Sequence, residues 1–404
     1  MLSSVRTSTH VASLTKNKTF YSAVAASLTS STESSSEGHI DSNHSILYAL
    51  DNLSRNNTNS LNFRYPDPPP AKSNYQNRIT RHSMDSKYLT NLFNYKPIYF
   101  ENQKKFSIWH KLPVCRRSAV MVLLFLGNDG ELRVILTKRS KQLRNFSGHV
   151  SFPGGKADNG LESEFQCARR EMEEEIGISR HNSFLLKQYG FVIDELMTLP
   201  AYLARTFLAV APCIGYINWK EDIHLKDRWL RDLVLNPGES SSIFSVPLRD
   251  FLQPKTKYFH LKECLKQSHI KTKWAGLPWN LRSFIFPLHN PCEVSWLQEV
   301  EDLSPPTSED ETHEDQEFDV RTRNCWGLTA NILHDIAEVI YNGGKQVNVI
   351  GEEDLIHELY NNGQMQSKDR TDFEKKIINN FKGATFNEVI PDEKFQKLKN
   401  LYNH

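Results

Sequence analysis

Three glutamates in the run Arg170-Glu171-Met172-Glu173-Glu174-Glu175 carry the spacing that could do chemistry. On a helix, Glu171, Glu174 and Glu175 stand at i, i+3 and i+4 and share one face, while Glu173 points elsewhere. Like charges at that spacing repel. A cation that accepts carboxylate oxygens removes the repulsion. Mg²⁺ suits such a site, because it takes oxygen ligands, keeps waters and is often held jointly by a few carboxylates and substrate phosphates. Arg170 lies four residues before Glu174 and can hold that carboxylate in place. A bare run of glutamates is more often a solvated, salt-bridged face. Here the glycine pair Gly154-Gly155 ahead of the run and Gly177 behind it favour the metal reading.

The element that must position these carboxylates is a helix. Leu161, Phe165, Ala168, Met172 and Ile176 recur at steps of three and four, which predicts one apolar stripe packed on a core. Gly177 is placed to stop the helix.

From Glu162 onward the stretch resembles the Nudix box, G-x5-E-x7-R-E-U-x-E-E-x-G-U with U a bulky aliphatic residue. The matching residues are Glu162, Arg170, Glu171, Met172, Glu174, Glu175, Gly177 and Ile178. Gly155 stands seven positions before Glu162 where the pattern has six, so the loop carries one extra residue while the carboxylates keep their register.

Just ahead of this loop, Lys138, Arg139, Lys141 and Arg144 put four cations within seven residues. Read alone they form a basic surface loop or a grip for a polyanion, with arginine favoured for bidentate contact to phosphate. Leu136, Thr137, Arg139, Ser140, Arg144, Gly148, Phe152, Pro153, Gly154 and Gly155 also resemble the signature of the coenzyme A diphosphatase branch of the Nudix hydrolases, with Ile135 in place of its first leucine. The resemblance covers residues 116 to 342. It implies an α/β fold, the Nudix α/β/α sandwich with a mixed β-sheet between helices. It implies metal-dependent hydrolysis of the pyrophosphate bond of coenzyme A and its derivatives, giving 3′,5′-ADP and 4′-phosphopantetheine.

The same resemblance implies roles. Mg²⁺ or Mn²⁺ would sit on Glu171, Glu174 and Glu175, with Glu162 and Arg170 orienting them. Glu239, in the turn Asn236-Pro237-Gly238-Glu239, is a candidate to complete the metal site or to act as base; as a lone turn glutamate it is equally readable as a solvated residue. Arg139 and Arg144, with Lys138, would hold substrate phosphates beside Gly154 and Gly155. One alternative is hydrolysis of oxidised nucleoside triphosphates such as 8-oxo-dGTP. Another is a non-catalytic nucleotide-binding module, which would be expected to lose box carboxylates.

Composition excludes other classes. The net charge of +1 argues against nucleic acid as a partner and leaves a small-molecule substrate. Six cysteines with no Cys-x-x-Cys pair fit a reducing compartment and no structural zinc. There is no His-Glu-x-x-His, no Gly-x-Ser-x-Gly, and no apolar run that reaches the roughly 18 residues of a membrane span. His149, near the loop, reads as packed or solvent-facing.

The remaining chain is read as follows. Residues 1–107 form a low-complexity, largely disordered extension, with a short helix over Ser45 to Leu53 and a linker marked by Pro66, Pro68, Pro69 and Pro70. The catalytic domain spans 108–345. Strands are expected at 118–126 and 131–137 as a hairpin, then at 184–193, 202–214 and 242–246, with two more between 257 and 286. An acidic, disordered insertion at 299–319 carries ten acids. Trp326 to Tyr341 reads as a helix with Leu328, Ile332, Ile336 and Ile340 inward, capped by Gly343-Gly344. Residues 346–404 read as a polar, weakly helical tail. The first 32 residues hold no acid and resemble a transit peptide. Leu401-Tyr402-Asn403-His404 is not a Ser-Lys-Leu address. The family resemblance points to the peroxisome, with the mitochondrion or cytoplasm as alternatives.

Overall fold

The computed structural model describes residues 83–97, 107–127, 130–220, 233–252, 266–288, 293–298, 300–303, 322–345 and 349–403. The helix expected at Ser45 to Leu53, the proline linker, residues 1–82 of the extension and most of the acidic insertion lie outside the described residues.

The first strand, β1 (Arg117–Leu126), is apolar on both faces, and its alternation sorts the whole molecule. Met121, Leu123 and Phe125 enter one buried cluster together with Ala168, Met172 and Ile176 of the glutamate helix. Val122 and Leu124 enter a second cluster with Ile332, Ile336 and Ile340 of the helix near residue 330. A sheet with a helix layer on each face is therefore what the sequence led us to expect. Each fully buried side chain of this kind contributes roughly 1.5–3 kcal/mol relative to exposure.

β1 pairs in parallel with β7 (Ala209–Trp219), and β7 pairs antiparallel with β5 (Phe191–Thr198) and β6 (Tyr202–Leu203), so the sheet is mixed. On its other edge β1 meets β2 (Leu132–Arg139) only from Leu124 to Leu126. Beyond that the two strands part. The segment from 150 to 156 fills the gap, β3 (Val150–Ser151) on β2 and β4 (Gly154–Lys156) on β1. β8 (Ser240–Pro247) covers the far edge of β2. A second, antiparallel sheet follows the order β11 (Thr322–Trp326), β10 (Leu277–Pro287), β9 (Lys266–Trp274).

The helices are α1 (Ser83–Asn94), α2 (Glu164–Ile176), α3 (Asn182–Tyr189), α4 (Ser295–Gln298), α5 (Gly327–Asn342), α6 (Glu353–Asn361), α7 (Asp372–Ile378) and α8 (Asp392–Leu401), counted among the described residues. Four expectations need correction. Residues 184–193, read as a strand, are mostly α3: Leu185 and Tyr189 bury one helical step apart, and Gly190 ends the turn in the left-handed region. Leu161 lies before α2 and is exposed, so the helix stripe begins at Phe165. The end of the presumed extension is the packed helix α1, with Leu89 and Leu92 buried and Asn91 donating to the Ile340 carbonyl at 2.9 Å. Finally, residues from 349 onward are no tail. Leu355, Leu359, Met365, Phe373, Ile377 and Phe386 enter the same buried cluster as α2. No helix among the described residues is long and apolar enough to cross a membrane.

Candidate active site

The glutamate helix is set at both ends. Ser163 and Gln166 form a reciprocal capping box, Gln166 N–H to Ser163 Oγ at 3.2 Å and Ser163 N–H to Gln166 Oε1 at 2.9 Å. Gly177 closes the other end at φ 73°. With both ends and the buried stripe fixed, rotation about the helix axis is fixed, and so is the direction of the three carboxylates.

Arg170 is the hub. Its guanidinium meets Glu162 Oε1 at 2.7 Å, Glu171 Oε1 at 2.9 Å and Glu174 Oε2 at 3.2 Å, and donates to the Lys156 carbonyl at 2.8 Å. Burial alone would favour its neutral form; the hydrogen bonds it donates to Glu162 and Glu171 outweigh that and hold it charged. Glu162 also accepts the Asp158 N–H at 2.8 Å. One arginine and one glutamate thus tie the loop that follows β4 to the helix.

The glycine pair is required by space. A Cβ on Gly155 would lie 2.4 Å from the Glu171 carboxyl carbon, and one on Gly154 would lie 2.5 Å from the Ala119 carbonyl oxygen. β4 therefore passes directly beneath the carboxylates, and Gly154 N–H approaches Glu175 Oε2 at 3.3 Å.

Glu239 reaches the site from a separate turn. Asn236 donates its N–H to the Glu175 carbonyl at 3.0 Å, and Ser140 donates its N–H to the Glu239 carbonyl at 2.8 Å. These backbone bonds lay the 236–240 turn against the end of α2. The carboxylate of Glu239 then acts on both Glu171 and Glu175. Burial pushes Glu175 up to about 8, opposed by Arg139 and reinforced by Glu171 and Glu239. Burial likewise raises Glu171, against Arg170 and with Glu174 and Glu239.

Of the expected phosphate ligands, Arg139 is placed best. The pairing of β2 with β8 shifts register between Lys138 and Arg139, a bulge that re-aims the second side chain. Arg139 faces Glu175, and its Nε is buried with no hydrogen-bond partner. Lys138, one residue earlier, is buried in the strand instead of being presented beside it. Arg144 is exposed on the loop that follows.

Among the described residues, no three His, Cys, Asp or Glu side chains already surround one point as a closed metal cage. Glu171 and Glu174 are turned onto Arg170 instead. The donor set nevertheless fits a hard divalent cation. It is all oxygen, its members repel one another, and Glu239 Oε2 is buried with no hydrogen-bond partner. Of the two residues expected to orient the box carboxylates, Arg170 is bonded to Glu171 and Glu174, and Glu162 is bonded to Arg170. What the sequence reading missed is an aromatic group beside Arg139, formed by Phe146, His149 and Trp326.

Comparison with known proteins gives concordant matches. A family model described as NUDIX domain matches residues 116–266. Peroxisomal coenzyme A diphosphatase 1 of Saccharomyces cerevisiae is 41% identical over 337 residues, 77% of this chain and 95% of that protein. Nudix hydrolase 15, mitochondrial, of Arabidopsis thaliana is 36% identical over 155 residues, 38% of this chain and 48% of that protein. Peroxisomal coenzyme A diphosphatase ndx-8 of Caenorhabditis elegans is 34% identical over 135 residues, 33% of this chain and 50% of that protein. The chain spans about half the length of the plant and worm relatives and nearly all of the yeast one.

Proposed function

The chain belongs to the Nudix hydrolases, and from that premise we propose that it hydrolyses the pyrophosphate bond of coenzyme A and its derivatives to 3′,5′-ADP and 4′-phosphopantetheine. The observation that carries the chemistry is the meeting of Glu171, Glu175 and Glu239 beside an arginine with an unpartnered Nε. The choice of substrate rests on the signature from Leu136 to Gly155 and on the yeast relative, which is matched along 95% of its length.

Glu171, Glu174 and Glu175 would hold the divalent cation, Mg²⁺ or Mn²⁺. Such a cation neutralises diphosphate charge and lowers the pKa of a bound water. Arg139, whose Nε is buried without a protein partner, binds a phosphate oxygen through its guanidinium. Arg170 keeps Glu171 and Glu174 in register, and Glu162 keeps Arg170 in place. Water adds to one phosphorus as the anhydride P–O bond breaks, and the bridging oxygen leaves with the other phosphate. Glu239 takes the proton that the water loses, since its carboxylate acts on those of Glu171 and Glu175 from a separate turn. The name of the yeast relative supports the peroxisome as the site of action.

A substrate panel tests this reading. Purified full-length protein with Mg²⁺ should turn over coenzyme A at a kcat/KM at least about tenfold above NADH and 8-oxo-dGTP. A preference for 8-oxo-dGTP would move the assignment to sanitation of oxidised nucleotides.

A further inference from the structure

Phe146, His149 and Trp326 form a continuous aromatic surface beside the phosphate-binding strand end. The ring centroids of Phe146 and His149 are 5.7 Å apart, and those of His149 and Trp326 are 5.0 Å apart. The two outer rings are open to solvent, Phe146 at 45% and Trp326 at 43%. Large apolar side chains scattered singly over a surface mean little. Phe146 and His149 share one loop while Trp326 comes from far along the chain, so the fold makes their meeting, and backbone bonds fix the loop to the end of β2. Arg139 N–H donates to the His149 carbonyl at 2.9 Å, and Gly148 N–H donates to the Arg139 carbonyl at 3.1 Å. Trp326 ends β11 and begins α5, and its side chain caps nothing. Phe146 adopts φ 55°, a conformation rare for a side chain of its size, and in it the ring remains exposed.

Exposed rings interleaved with arginines suit a ligand with a flat π-face next to phosphate. Arg139 is hydrogen-bonded to this loop and Arg144 stands two residues before Phe146. We propose that Trp326 and Phe146, with His149 between them, stack the purine of the substrate's 3′,5′-ADP half and so contribute to its selection. The proposal rests on the coenzyme A reading for the identity of the nucleotide. Its residues touch the base and take no part in bond breaking.

Binding is measured by calorimetry without metal, on the full-length protein, with 3′,5′-ADP and with ribose 3,5-bisphosphate, which carries the same phosphates and no base. Wild type should prefer 3′,5′-ADP by about tenfold to a hundredfold, the usual worth of one stacked base. Trp326→Ala and Phe146→Ala should each reduce that preference and leave the abasic ligand unchanged, while Trp326→Phe should retain it. In turnover, Trp326→Ala should raise KM for coenzyme A with kcat within about twofold. Unchanged affinity for 3′,5′-ADP in both alanine variants overturns the proposal. An equal loss for both ligands also overturns it, since the rings would then only shape the arginine loop. The two readings fail separately. A wild type that hydrolyses coenzyme A but shows no effect of Trp326→Ala defeats stacking alone. A wild type that binds 3′,5′-ADP through Trp326 but does not cleave coenzyme A supports stacking and defeats the substrate.

Discussion

Asn236 donates its backbone N–H to the carbonyl oxygen of Glu175 at 3.0 Å. This bond joins a turn far along the chain to the last turn of α2, and it brings Glu239 into the field of Glu171 and Glu175. The anchors of that turn are main-chain groups, so its acidic side chain can be changed without releasing it.

Glu239→Gln is therefore expected to leave the fold intact and to lower kcat by about a hundredfold or more, with KM changed little, as befits a lost proton acceptor. Steady-state kinetics with coenzyme A checks this. A kcat within threefold of wild type would remove Glu239 from the mechanism.

Arg144 is exposed on the loop that follows Arg139, a place suited to the 3′-phosphate of coenzyme A. Arg144→Ala should lower kcat/KM for coenzyme A about tenfold more than for 3′-dephospho-coenzyme A, the lower end of what a charged hydrogen bond contributes. Equal losses would assign this arginine to the diphosphate itself.

The C-terminal stretch is held by a buried ion pair. Arg116 meets Glu374 at 2.7 Å and also donates to the carbonyls of Ser367 and Asp369. Both side chains are essentially inaccessible, so Arg116→Met leaves the buried Glu374 carboxylate with the more distant Arg370, at 3.8 Å, as its remaining cationic neighbour. We expect a loss of about 3–5 kcal/mol, read by denaturant unfolding, with the double change Arg116→Met, Glu374→Met recovering most of it. A single variant as stable as wild type would show that the stretch docks by other contacts.

Burial pushes the Glu352 carboxyl from 4.5 up to about 8; the Leu203 N–H opposes this and Asp335 adds to it. The folded protein thus holds this proton more tightly than the unfolded chain. Its stabilisation is complete below about 4.5 and is lost as pH rises through about 8. Thermal unfolding between pH 5 and 9 should show Tm falling with pH in wild type and a flatter profile in Glu352→Gln. Parallel profiles would contradict the assignment.

How much of this was legible in the sequence follows from what each feature depends on. α2 could be read because its charge pattern and its apolar stripe are both local, from Phe165 to Gly177. α5 could be read because Ile332, Ile336 and Ile340 repeat at four and Gly343 ends the helix. The place of Glu239 could not, since it depends on the bond between Asn236 and Glu175. The C-terminal stretch was hidden by its polar composition: Glu374 looks like a surface residue until Arg116, 258 positions away, is set against it. Phe184 to Ile193 reads as a strand because its short apolar runs have no period, and only Gly190 marks the end of a helix. The aromatic group is not legible locally, because Trp326 lies 177 positions after His149 and reads as the start of a helix.

The central claim is tested most directly by product analysis of coenzyme A incubated with Mg²⁺ and either wild type or Glu174→Gln. Glu174 is bonded only to Arg170 among the described residues, and the change keeps its size while removing one ligand charge. Wild type should release 3′,5′-ADP and 4′-phosphopantetheine in equal amounts, and Glu174→Gln should be slower by on the order of a hundredfold or more. Intact coenzyme A after incubation with wild type, or equal product from the two proteins at saturating Mg²⁺, would contradict the account.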